Sequence, residues 1–200
     1  MSAPELMDLP LKGARKYIQS ATIVEHLSPM RERWANFETA RLEISFKRFA
    51  IKQLLLWEEE PPVEVEVSTE AIFWHDDAKK QLWLSESDTP IHHVVDCHES
   101  EVMPLCVFEP DRVTLSAPSR LSVMDTLVAM SKFMHQRQFG TDKGRWVVTR
   151  FECEDVLLRS QPACPIGLSV TIERKIPQFT LSRIELDGEY AGKVFYSVVS

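Results

Sequence analysis

What most constrains this chain is the isolation of its helices. Each half of the 200 residues holds one good helical pattern, followed by several strand-like segments. A helix has one apolar stripe to bury, and a helix with no helical neighbour must bury it against a sheet. A twisted antiparallel sheet offers a matching apolar face, so wrapping the sheet round the helix covers both surfaces. The fold class expected is therefore α+β.

The first helical pattern is SATIVEHLSPMRERW, with Ser20 as its N-cap and Ile23, Val24, Leu27, Met30 and Trp34 at helical spacing. Pro29 interrupts it, which predicts a short or kinked helix. The second is SRLSVMDTLVAMSKFMHQRQFG, capped by Ser119 or Ser122 and stopped at Gly140. Its stripe is Leu121, Met124, Leu127, Val128, Ser131 and Met134. Asp125 falls with Ser122, Ala129, Lys132 and Gln136, beside that stripe.

Strand signals follow each helix in the same order. ARLEISFKRFAIKQLLLW, PVEVEVSTEAIFW and KKQLWLSES come first. RWVVTRFECEDVLL, IGLSVTIERKI, FTLSRIELDG and KVFYSVV come second, and EVMPLCVFEPDRVTLSAP leads into the second helix as a further strand. Period-2 alternation runs through Val63–Val67 and Leu168–Ile172. The halves overlay at an offset of about 100 residues, with VEHL on MDTL and PVEVEVSTE near PIGLSVTIE, which predicts an internal duplication. The expected units are 1–100 and 101–200.

The net charge of −7 argues against general nucleic-acid binding, which needs a basic face. Arg112, Arg120, Lys132, Arg137, Lys143, Arg145 and Arg150 form a comparatively basic stretch, read either as a patch for a phosphate-bearing ligand or as scattered solvated side chains. No apolar run of membrane-spanning or signal-peptide length occurs, so a cytoplasmic protein without a membrane partner is expected. Cys97, Cys106, Cys153 and Cys164 contain no CxxC pair and read as reduced thiols, mostly in the core. IHHVVDCHESE gathers three histidines, but strand geometry splits them between faces and no second ligand cluster appears. It reads as a polar connector, and no metal site is expected.

The order of strand, central helix and about four strands, clearest over Val102 to Val199, resembles the hotdog superfamily. Two such units make a double hotdog, as in some acyl-carrier dehydratases, acyl-CoA thioesterases and A-factor-type butenolide biosynthesis proteins. The resemblance implies paired units sharing one continuous sheet. It also implies a thioester of coenzyme A or acyl carrier protein as substrate, no permanently bound cofactor, and an assembly that can extend to a homodimer. SVMDTLVAM resembles the dehydratase helix whose acid works with a histidine from the preceding loop, and Asp125 falls on that acid.

No histidine lies between Cys106 and Asp125, and Asp111 stands roughly where one is expected. His135 lies about 15 Å further along the helix, too far to substitute. Thioester hydrolysis asks only for a carboxylate and backbone donors near a helix N-terminus. Asp125 is the candidate carboxylate, and the overlay offers Glu25 as its counterpart in the first half. The alternatives are surface roles for both acids, and a non-catalytic acyl-CoA or acyl-carrier binder or interaction subunit. Trp34, Trp146 and Phe151 are candidates to line a tunnel or to fill the core.

Overall fold

The computed structural model describes residues 3–140, 144–159 and 166–199, so Lys143 and Cys164 lie outside the described residues. The chain forms two compact units, residues 1–97 and 98–200.

The first unit opens with β1 (Glu5–Met7) and β2 (Leu11–Lys12), then α1 (Ser20–Leu27) and a 3₁₀ turn (Ser28–Arg33). β3 (Arg41–Phe46), β4 (Leu54–Trp57), β5 (Val67–His75), β6 (Ala78–Glu86) and β7 (Val94–Val95) follow. Its antiparallel sheet has the order β1-β4-β6-β5-β3, and β2 pairs separately and in parallel with β7. Pro29 shortens α1 as expected by turning the chain into the 3₁₀ conformation. The N-cap is Gln19, with no side-chain bond, so Ser20 is the first helical residue rather than the cap. Two strand readings change. The first segment divides into β3 and β4, which pair with different partners. The alternating Val63–Val67 stretch is mostly turn that leads into β5, and Val63 is fully exposed. Pro61 and Pro62 precede it, and two prolines cannot donate to a ladder.

A buried amide clasps the N-terminal segment to this sheet. Leu9 N–H donates to Gln53 Oε1 at 2.8 Å, and Gln53 Nε2 donates to Leu9 O at 3.1 Å. Gln53 is 2% exposed, so these bonds satisfy groups that water cannot reach.

The second unit contains β8 (Cys106–Phe108), β9 (Arg112–Leu115), α2 (Val123–Phe139), β10 (Arg145–Cys153) and α3 (Asp155–Arg159). It ends with β11 (Leu168–Ile176), β12 (Phe179–Leu186) and β13 (Glu189–Val199). All neighbours are antiparallel, in the order β10-β13-β12-β11-β9-β8. Strict in-out alternation along β12 marks a sheet with one covered face. Asp187 and Gly188 both have positive φ, the conformation of the tight turn that joins β12 to β13. Register shifts in β10, β11 and β13 introduce bulges, which increase twist and let strands bend. Gly192 is required by close approach as well as by its φ of 147°, because a Cβ there would strike the Glu152 carbonyl on β10. The segment read as one strand before α2 becomes two 3₁₀ turns, β8 and β9, and the strand read through Leu158 ends at Cys153, where α3 begins.

α2 packs against β9 and β11, and its first turns are covered on all sides. Val123, Met124, Asp125, Thr126 and Leu127 are five consecutive buried residues, which a helix with one solvated face cannot have. The antiparallel sheets and few helices make this an α+β protein. Among the described residues, no helix is long and apolar enough to cross a membrane.

Candidate active site

The N-terminal turn of α2 assembles a carboxylate and three hydroxyls. Ser122 is the N-cap: Asp125 N–H donates to Ser122 Oγ at 3.0 Å, and that hydroxyl donates back to Asp125 Oδ2 at 3.0 Å. The serine half of a capping box is present, and the carboxylate accepts from the cap's own hydroxyl, so part of the reason for an acid here is structural. One turn on, Thr126 Oγ1 donates to Ser119 Oγ at 2.9 Å, and Leu121 N–H donates to the same oxygen at 3.1 Å. The loop before the helix is thereby fixed relative to its first turn. Val123 N–H and Met124 N–H make no hydrogen bond among the described residues, leaving two of the donors that every helix N-terminus exposes.

Asp125 is only 8% exposed, where a position beside the apolar stripe suggested a solvated or site-lining side chain. A buried setting with preorganised donors is where a carboxylate can act on a carbonyl, since its own solvation is already replaced by fixed dipoles. Glu25 is treated differently. It lies late in α1, half-buried, with Oε2 2.7 Å from the ammonium of buried Lys12. That ion pair ties α1 to β2 and commits a carboxylate oxygen to a cation.

Neither candidate partner for Asp125 reaches it. Asp111 is exposed, and its Oδ1 accepts from Gln138 Nε2 at 3.0 Å in the last turn of α2. Thirteen residues separate Gln138 from Asp125, about 20 Å along the helix axis. His135 is fully buried. Its Nδ1–H donates to the Ser131 carbonyl at 2.6 Å, and because a carbonyl only accepts, this fixes the tautomer. Nε2 then accepts from the Thr180 hydroxyl at 2.7 Å. Phe139, Trp146 and Tyr196 pack round the ring, with centroids 4.6–5.6 Å away. Burial, with a smaller push from Lys175, lowers its pKa to about 4, against the hydrogen bond to Ser131, so His135 is a neutral core residue at pH 7. A histidine three-quarters of the way along an apolar helix, with Ser131 one turn before it, was the sequence signal for this arrangement.

The remaining candidates have structural settings. Phe151 is core, Trp146 belongs to the His135 cluster, and Trp34 packs on Phe73 while its Nε1–H donates to Glu58. Glu58 is held below the ordinary carboxylate range by its bonds to Lys80 and Trp34, against burial. Arg112, Lys132 and Arg150 pair with Glu185, Glu99 and Glu152, so three side chains of the basic stretch are committed to separate ion pairs. Cys153 is buried and its thiol pKa is pushed up, whereas Cys97 and Cys106 are half-buried and less core-like than expected. Among the described residues, no three His, Cys, Asp or Glu side chains converge as metal ligands.

No protein-family model and no curated protein sequence matches the chain. Solved structures do. The tesB protein of Mycobacterium avium subspecies paratuberculosis aligns over 99% of this chain and 93% of its own, at 10% identity and a TM-score of 0.50. A monomeric dehydratase domain from a trans-AT polyketide synthase split module aligns over 98% and 99%, at 9% identity and a TM-score of 0.49. An acyl-ACP thioesterase from Bacteroides thetaiotaomicron aligns over the full length of both chains, at 9% identity and a TM-score of 0.44.

Proposed function

We propose that this hotdog-fold protein is a double hotdog that hydrolyses an acyl thioester, of coenzyme A or acyl carrier protein, in the cytoplasm. The observation that carries the reading is the setting of Asp125: a buried carboxylate in the covered first turn of a helix, held by Ser122 and next to two backbone N–H groups without partners among the described residues. The tesB protein shares the fold across nearly the whole of both chains, which supports the hotdog architecture on which this reading rests.

In the proposed reaction Asp125 takes a proton from water as the water oxygen adds to the thioester carbonyl. The N–H groups of Val123 and Met124 receive the oxyanion, aided by the positive end of the helix dipole. Collapse of the adduct breaks the carbon–sulfur bond. The proton held by Asp125 passes to the departing thiolate, giving a carboxylic acid and a thiol. Ser122 orients the carboxylate and takes no part in bond making. Hydrolysis is favoured over dehydration because dehydration needs an acid and a base together. His135 has both nitrogens engaged far along the helix, and Asp111 is bound at the opposite end.

The test is thiol release from a panel of acyl-CoAs. Asp125→Asn keeps the cap, so turnover of at least one substrate should fall by about 100-fold or more while the melting temperature stays close to that of the parent. Turnover unaffected by the substitution removes Asp125 from the reaction. The second reading, a binder, gains support from a different result: an acyl-CoA that raises thermal stability and is recovered intact.

A further inference from the structure

A second site lies at the other end of α2. A groove of about 270 Å³ is lined by Phe108, Glu109 and Pro110, from the end of β8 and the turn after it, and by Met134, Arg137 and Gln138 of the helix. Its floor is apolar, with Met134 1% exposed beneath Phe108 and Pro110. Its walls carry opposite charges. Arg137 and Glu109 are both exposed, and neither has an ion-pair partner among the described residues, whereas Arg112, Lys132 and Arg150 in the same unit do.

Two contacts give the groove a fixed shape. The Arg137 guanidinium lies over the Phe108 ring, 4.7 Å from its centroid. The Gln138 amide nitrogen donates to the Pro110 carbonyl and, at 3.0 Å, to Asp111 Oδ1, bracing the turn against the helix. Because both partners are acceptors, the nitrogen is assigned and Oε1 must be the acceptor. That oxygen is buried and meets no donor among the described residues.

We propose that this groove binds a free α-amino acid with an apolar side chain. The carboxylate pairs with Arg137, the ammonium pairs with Glu109, and the side chain covers Met134, Phe108 and Pro110. A simple anion meets Arg137 but is opposed by Glu109 and Asp111, and a simple cation is opposed by Arg137. A zwitterion satisfies both walls. Drug-sized ligands occupy roughly 300–1,000 Å³, so this groove takes a smaller molecule. The C-terminal end of a helix also favours an ammonium group nearby. Arg137 is twelve residues beyond Asp125, about 18 Å along the axis, so the site is separate from the proposed thioester chemistry.

The experiment is a titration of the ¹⁵N-labelled full chain with L-leucine, followed by amide shifts. Saturable shifts are expected at Glu109, Asp111 and Arg137 to Gly140. Leucinamide, which lacks the carboxylate, and N-acetyl-leucine, which lacks the ammonium, should each bind about tenfold more weakly or worse. Arg137→Gln and Glu109→Gln should each weaken L-leucine by a similar factor while leaving the rest of the spectrum in place. Absence of saturable shifts, or equal shifts from all three compounds, overturns the assignment.

Discussion

The two main helices hold their N-terminal turns and carboxylates by opposite means. α1 has eight residues, no side-chain cap, and a proline that turns it into a 3₁₀ segment. Its acid, Glu25, is bound to Lys12. α2 has seventeen residues, a serine cap at one end and Gly140 with φ of 72° at the other. Its acid, Asp125, is held by a neutral hydroxyl. A carboxylate on an ammonium is a structural tie, whereas the proposed hydrolysis draws on one held by a neutral hydroxyl beside helix N–H groups.

The contrast extends to how each unit satisfies its buried polar groups, and that can be broken experimentally. The second unit relies on the neutral His135 between Ser131 and Thr180. His135→Ala should cost about 3–5 kcal/mol in urea unfolding, through the lost ring packing and a Thr180 hydroxyl left without its acceptor. The same histidine makes the protein acid-sensitive. Its pKa is about 4 folded and 6.5 unfolded, so the unfolded chain binds the proton first as pH falls. The contribution is intact above pH 6.5 and is lost between about pH 6.5 and 4, to a total of about 3 kcal/mol. His135→Gln should flatten that part of the stability–pH curve.

The first unit relies on Gln53. Gln53→Ala leaves both Leu9 backbone groups without partners and should cost about 2–3 kcal/mol, with hydrogen exchange rising first in the segment around β1. The smallest effect sharpens the comparison at the helix starts. Ser122→Ala should cost about 1 kcal/mol, whereas Ser20→Ala, which removes no cap, should cost less than half of that.

Much of this was legible locally. The capping serine and stopping glycine of α2, the proline break after α1 and the tight Asp187–Gly188 turn all act within a few residues. The division of β3 from β4 was not, because those strands lie apart in their sheet with β5 and β6 between them. Nothing in Lys47–Gln53 announces that crossing. Alternation alone promoted Val63–Val67 to strand, although no ladder partner exists for most of it. Residue type singled out Asp125 as a candidate, but a helical wheel assumes a solvated face along the whole helix, and the first five residues of α2 have none. The roles of Asp111 and His135 depend on Gln138 and Thr180, partners 27 and 45 residues away in sequence.

The most direct measurement sets the two acids against each other: single-turnover thiol release from the best acyl-CoA substrate by Asp125→Asn and by Glu25→Gln. With Asp125 as the base, the first substitution abolishes release and the second leaves it within about twofold of the parent, any change following stability alone. Equal losses in both, or loss only in the Glu25 variant, would contradict that role.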